Sequence, residues 1–305
     1  MAVVRLAVIC GPTAAGKSSL ALALAESCGL GIVSADSRQV YRGFDIGTAK
    51  ATPDERTRVP HAGIDVADPS ERYSAARWME GFESWRHDLS TMGRPTLVVG
   101  GTGLYLRTLT DPLFEEPPLD PEARQALDRE LQPLSLDELR ARCEVLDPAR
   151  AHLGRTQLLR AIEVATLTGR PISAWHRERA REARYEARYL MVDPGVPALH
   201  ARIVQRVDVM LAAGWVEEVR QLMQVVPADA AAWNATGYDA IRQVVAGTLS
   251  QAAAREQVII ATRQYAKRQR TWFRHQLPAA HVLHVDPRDP AANERALEWY
   301  RNATR

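Results

Sequence analysis

Eight residues near the start of the chain, Gly11-Pro12-Thr13-Ala14-Ala15-Gly16-Lys17-Ser18, restrict its fold more than any other stretch. They fit G-x-x-x-x-G-K-[ST], a loop that cradles phosphate. The flanking residues agree. Val3 to Cys10 is a nearly all-apolar run, as in a strand buried on both faces of a parallel sheet. Ser18 to Glu26 is rich in strong helix formers. A strand, a glycine loop and a helix, in that order, aim backbone N–H groups and a helix N-terminus at an anion. Lys17 adds a point charge, and Ser18 a hydroxyl ligand for Mg2+. The plain alternative is a glycine-rich turn that binds nothing. The motif leaves open which phosphate it holds.

A length of 305 residues allows one large domain or two modest ones. No apolar run reaches 18 residues, so no transmembrane helix is expected. The cysteines, Cys10, Cys28 and Cys143, are far apart and form no C-x-x-C pair. That points to a reduced, cytoplasmic protein without disulfides or structural zinc. The net charge of +2 does not exclude a nucleic-acid partner, because clustering matters more than balance.

Further along, Gly31 to Asp36 reads as a second strand ending in an acid. In a doubly wound sheet, ligands sit beyond the carboxyl ends of the strands. Asp36 therefore suits a Mg2+ ligand or a general base, or else merely caps the turn. Pro60 to Pro69 reads as a short strand between turns. Trp78, Phe82 and Trp85 fall on one side of a helix over 73–89 and belong in the core. Arg94 to Tyr105 runs from a strand into a second glycine turn, where Thr102 offers a hydroxyl or a helix cap. Pro112, Pro117, Pro118 and Pro121 mark a domain boundary. Residues 122–187 read as wholly helical, with Arg177, Arg181, Arg184 and Arg188 on one face. This stripe is either a solvated ion-pair face or an RNA surface. A single long helix is expected over 197–225, carrying Arg202 and Arg206 one turn apart. A later helix brings Arg263, Lys267, Arg270 and Arg274 to one face, mixed with Tyr265, Trp272 and Phe273. Cations and aromatics together suit phosphate contacts and base stacking. Val282 to Asp286 reads as a last strand.

Four of these stretches, in this order, resemble the tRNA dimethylallyltransferase family, which isopentenylates an adenosine beside the anticodon. They are Gly11–Ser18, Asp36-Ser37-Arg38-Gln39-Val40-Tyr41-Arg42-Gly43 with Asp45 to Lys50, Gly100-Gly101-Thr102-Gly103-Leu104-Tyr105, and Arg263 to Arg274. The resemblance spans nearly the whole chain. It implies an α/β fold with a P-loop NTPase-like parallel sheet core over 1–112 and 188–305. An all-helical, tRNA-binding insertion would occupy 113–187. It implies dimethylallyl diphosphate and the anticodon stem-loop of tRNA as substrates and Mg2+ as cofactor; a cytoplasmic monomer without a membrane partner is the accompanying expectation.

Position by position, the resemblance gives the diphosphate to Gly11, Pro12, Thr13, Ala14, Ala15, Gly16, Lys17 and Ser18. It adds an arginine from Arg202 or Arg206. Asp36, Ser37, Arg38 and Gln39 would meet the target adenosine, with Asp36 as base and Lys17 and Thr102 completing the catalytic set. Thr102 and Arg124 would contact tRNA or diphosphate. Arg160, Arg263, Lys267, Arg270 and Arg274 would contact tRNA. The chain departs from the family's pattern twice. The tRNA-contacting Gln-Arg pair is Thr156-Gln157, and the usual His-His-Leu-Ile-Asp is His61-Ala62-Gly63-Ile64-Asp65. The second change is expected to alter packing rather than chemistry. Two other readings share the loop and the strand-end acid. One is a small-molecule or nucleotide kinase. The other is a non-catalytic, RNA-binding P-loop switch.

Overall fold

The computed structural model describes residues 4–111, 119–178 and 185–304. The chain divides into two compact units, residues 1–110 with 183–305, and residues 111–182.

The first unit is built on β1 (Val4–Cys10), β2 (Gly31–Ala35), β3 (His61–Ala62), β4 (Thr96–Gly100), β5 (Tyr185–Val192) and β6 (Val282–Val285). All pair in parallel, in the order β3-β2-β4-β1-β5-β6. Apolar runs without alternation suit strands covered on both faces; Val8, Ile9, Cys10, Val33, Leu97 and Val98 have essentially no exposure. The connecting helices are α1 (Lys17–Cys28), α2 (Pro53–Arg58), α3 (Ala75–Thr91) and α4 (Gly103–Thr110). On α3, Trp78 and Phe82 are fully buried, and the Trp78 indole donates to the Ser34 carbonyl at 2.9 Å.

The second unit holds α5 (Pro121–Leu131), α6 (Leu136–Leu146), α7 (Arg155–Thr168) and α8 (Ile172–Glu178), with a 3-10 turn at Pro148–Arg150. Its own core joins Leu127, Leu131, Leu139, Cys143, Leu158 and Ile162. Ser135 and Glu138 close a capping box on α6, a start signal legible in sequence.

The expectation of wholly helical structure over 122–187 fails at its end. Tyr185 to Ala187 open β5, in register with Val4 to Leu6. Arg188 is a strand residue whose guanidinium pairs with Glu186, so it leaves the supposed stripe. Pairing with β1 overrides the helical spacing of the arginines. Pro112, Pro117, Pro118, Arg181, Glu182 and Arg184 lie outside the described residues.

The first unit then adds α9 (Val196–Ala212), α10 (Trp215–Val225), α11 (Tyr238–Val245), α12 (Gln251–Gln276) and α13 (Ala292–Ala303). The long helix expected over 197–225 is thus two, broken where Gly214 takes φ 97°, a left-handed value that glycine adopts without strain. Helix α13 buries Ala292, Ala296 and Trp299 and packs on α1. Among the described residues no helix is long and apolar enough to cross a membrane.

Candidate active site

The phosphate loop joins β1 to α1. Gly16 is the N-cap of α1 in a left-handed conformation and brings no side-chain cap. The first-turn N–H groups have no intrahelical acceptors, so they are left to an anion. No acidic residue lies in that turn. The ammonium of Lys17 donates to the Pro12 carbonyl at 2.7 Å. Burial lowers its pKa to about 8, with the nearby Arg206 cation adding to the shift and Asp36 opposing it.

Asp36 sits just past β2, at the tip facing this loop. One of its carboxylate oxygens accepts the Arg38 amide at 2.8 Å. The neighbouring Ser37 amide donates to Thr102 Oγ1 at 2.9 Å, while the Thr102 amide donates to the Ala35 carbonyl at 3.1 Å. Thr102 therefore ties the tips of β2 and β4 together. It also receives the Tyr105 and Leu106 amides on its own carbonyl at the start of α4. Gln39 is spent internally. Its Oε1 accepts from Ser34 Oγ at 2.8 Å, and its Nε2 donates to the Thr48 and Ala49 carbonyls at 3.2 and 3.0 Å.

The segment 44–50 forms one wall, held by two hubs that the sequence reading missed. Lys50 is buried and donates to the Tyr41 carbonyl, Asp45 and Asp65 at 2.5, 2.6 and 2.6 Å. Burial pushes Asp65 up, but the Lys50 and Arg56 hydrogen bonds outweigh it and hold that carboxyl low. Glu218 accepts the Asp45 and Ile46 amides at 3.0 and 2.6 Å, and the Tyr238 hydroxyl at 2.7 Å. Glu218 joins residues distant in the chain, and Lys50 draws together partners from Tyr41 to Asp65 that share no periodicity, so no local pattern announces either hub.

These elements enclose two adjoining cavities. One, of about 290 Å³, is lined by Lys17, Ser18, Ser34, Asp36, Gln39 and His61 among others. A smaller and more apolar one, of about 60 Å³, is lined by Val207, Met210, Trp215 and Val258 among others. Thr13, Asp36, Thr48, Arg206 and Tyr265 line both. Asp36 thus stands where the two meet. Tyr265 is a further residue of this wall; burial, with Asp36 close by, pushes its phenol up to about 12. It stays neutral and can donate a hydrogen bond.

The two arginines of α9 separate here. Arg202 donates to the Ala15 carbonyl at 3.2 Å and lies against Gly16, bracing the loop from outside the cavities. Arg206 lines both cavities and senses Asp36 through space. Burial lowers its pKa, which is tolerable because a guanidinium titrates so far above neutrality.

Of the remaining predicted residues, Arg124 and Arg160 lie in the second unit, and both pair with Glu163. Thr156 and Gln157 are exposed at the start of α7, where Gln157 Oε1 accepts the Gly154 amide at 3.3 Å. Arg155 is committed to the Leu134 and Gln132 carbonyls at 2.6 Å each.

On α12 the basic face is uneven. Arg270 pairs with Asp193 at 2.8 Å, and Arg263 is half-buried, whereas Lys267 and Arg274 are exposed. Phe273 is a core residue, 2 % exposed, so it is unavailable for base stacking. Trp272 and Lys267 line an open groove along the helix. Replacing both Lys267 and Arg274 with Glu is expected to weaken tRNA binding. The log–log salt slope should fall by about 1 for each lost phosphate contact, as read by filter binding at several salt concentrations. An unchanged slope returns the face to simple solvation.

Mg2+ needs few protein ligands when it arrives on phosphate, since it keeps several waters. No cluster of three acidic, His or Cys side chains suited to a metal occurs among the described residues. The Ser18 hydroxyl, exposed at the start of α1 on the cavity wall, fits such a phosphate-borne ion.

A phosphate loop after the first strand, an acid at the tip of the second and a separate helical unit mark an α/β protein with a P-loop core and a helical insertion. Residues 39–276 match the family model described as IPP transferase, and residues 4–60 match that described as isopentenyl transferase. The chain is 43% identical to the tRNA dimethylallyltransferase of Gloeobacter violaceus over 96% of its length and 95% of that protein's. It is 41% identical to that of Deinococcus radiodurans, covering 92% of each. Among solved structures, a eukaryotic dimethylallyltransferase acting on tRNA aligns with a TM-score of 0.80 at 26% identity, over 96% of this chain and 78% of that one. The tRNA isopentenylpyrophosphate transferase of Bacillus halodurans aligns with a TM-score of 0.69 at 30% identity, over 98% and 95%. This chain belongs to the IPP transferase family, the tRNA dimethylallyltransferases.

Proposed function

We propose that the chain transfers the dimethylallyl group of dimethylallyl diphosphate to N6 of adenosine 37 in the anticodon loop of tRNA, releasing diphosphate. The observation that carries this reading is the position of Asp36 on the wall common to both cavities, with Lys17 and Arg206 beside it. An anion site thereby abuts a proton acceptor, with an apolar recess between α9, α10 and α12 for the rest of the substrates.

The adenine N6 is a weak nucleophile because its lone pair is delocalised into the ring. It attacks C1 of the allylic donor. The new N6–C1 bond forms as the C1–O bond breaks, and diphosphate departs with the electron pair. Charge grows on the departing oxygen, so preorganised donors facing it do most of the electrostatic work. The first-turn amides of α1, Lys17 and Arg206 supply them. Asp36 takes the proton that N6 loses. Thr102 holds the Asp36–Ser37 tip in place, a positioning role rather than a direct one. Ser18 would hold Mg2+ carried in on the diphosphate, and the ion would supply neutralisation of part of the leaving group's charge. Anticodon-loop bases are partly unstacked, so extruding one is inexpensive. Exposed cations of α12 and the second unit would contact the RNA backbone. The enzyme is proposed to act as a cytoplasmic monomer.

The test is incubation with labelled dimethylallyl diphosphate, Mg2+ and unmodified tRNA, followed by nucleoside mass analysis. Isopentenyladenosine at position 37 is expected. Release of ADP on mixing ATP with candidate acceptors, without labelled nucleoside, would instead establish a kinase.

A further inference from the structure

Gln269 is a polar side chain of α12 only 7 % exposed. Its Oε1 accepts the backbone N–H of Thr13 at 2.8 Å, and its Nε2 donates to the Gly101 carbonyl at 2.9 Å. One amide therefore clamps the phosphate loop to the glycine turn after β4. A backbone N–H only donates and a carbonyl only accepts, so the amide's orientation is set by its partners. Asn is too short to span both, Met offers neither group, and ionised Glu cannot donate. Gly101 fits the same clamp, since a Cβ there would lie 2.5 Å from Nε2.

Within the loop, the Ala15 amide turns inward to the Pro12 carbonyl at 3.2 Å, and the Lys17 side-chain ammonium donates to the same carbonyl at 2.7 Å. Among the described residues Gln269 is what anchors the Thr13 amide, and Thr13 itself lines both cavities. Ala14, next along, holds φ 62°, a conformation a non-glycine residue keeps only when its surroundings enforce it. We propose that Gln269 is a positioning residue for the donor site. It holds the phosphate loop in its anion-receptive shape, and Gly101 is its obligatory seat. This rests on the reading that the loop receives the donor's diphosphate.

The test uses the full chain and inorganic diphosphate with Mg2+, measured by calorimetry, with tRNA affinity followed in parallel. Gln269→Met is expected to weaken diphosphate binding by about tenfold or more, as losing a preorganised hydrogen bond does, while tRNA affinity stays within about twofold. Gly101→Ala should reproduce the defect, and the double variant should be no worse than either single one, because both break the same contact. Gln269→Glu supplies the distinctive readout. A protonated carboxyl again has one donor and one acceptor, so the variant should recover towards wild type as pH falls and lose affinity as it ionises. A purely structural role would produce no such recovery. Wild-type diphosphate binding with unchanged Gln269→Met binding overturns this inference alone. Equal losses for diphosphate and tRNA, without recovery of Gln269→Glu at low pH, also overturn it. Absence of diphosphate binding by the wild-type chain overturns the proposed function and the inference together.

Discussion

Asp36→Ala is expected to lower kcat by about 10²–10⁴-fold, the range usual for a positioned general base, and to leave tRNA affinity within about twofold. Its carboxylate stands at the meeting of the two cavities, and only one of its oxygens is held by the Arg38 amide. The Ser37 amide and Thr102 fix the backbone on either side. Removing the carboxylate therefore leaves the strand tip standing and deletes the proton acceptor. Single-turnover assays with saturating tRNA separate this from a binding defect. Full turnover by the variant would dismiss Asp36 as the base. Asp36→Asn keeps the shape and the Arg38 contact but not the basicity, so it should be equally slow.

The second large effect concerns Lys17. Lys17→Ala should raise the KM for dimethylallyl diphosphate, or the dissociation constant of inorganic diphosphate, by about 10²-fold, as expected for one preorganised donor to a concentrated charge. The pH dependence gives a finer test. Burial, assisted by Arg206, lowers the Lys17 pKa to about 8. The cation is the form that binds an anion. Below about pH 7 the free enzyme already carries it, and Lys17 adds no further pH dependence to KM. Above about pH 8 each further unit of pH weakens binding by roughly a factor of ten, because the substrate must recharge a neutral amine. Arg206→Gln removes one of the causes of that depression and should move the inflection to higher pH while itself weakening binding. A KM independent of pH between about 7 and 9 in the wild-type enzyme would remove Lys17 from direct contact with the donor.

The parts of the site legible in the sequence are those whose function lies in local backbone geometry. Gly11 to Ser18 between an apolar run and a helix former can make little besides an anion loop. Asp36 at a strand end, and Thr102 after a glycine pair, are placed by the rule that parallel sheets bind beyond their carboxyl edge. The misreadings share one cause. Arg188 keeps a helical spacing with its neighbours but lies in β5, because seven residues of parallel register with β1 outweigh any local preference. Arg270 has a partner in Asp193 that no local pattern announces. Arg202 and Arg206 are one turn apart and indistinguishable by pattern, yet one braces the loop and the other faces the cavities.

The sequence by itself determined the α/β class, the phosphate loop, the acid that faces it and the family. Each of these is written in contiguous residues whose hydrogen bonds and dihedrals are short-range. Only the tertiary structure decided which side chains serve chemistry and which serve support. Gln269 and Glu218 act by satisfying backbone groups far away in the chain, and Lys50 by gathering the Tyr41 carbonyl with the Asp45 and Asp65 carboxylates. A buried polar group must find its partner wherever folding brings one, and that choice is made in space rather than along the sequence.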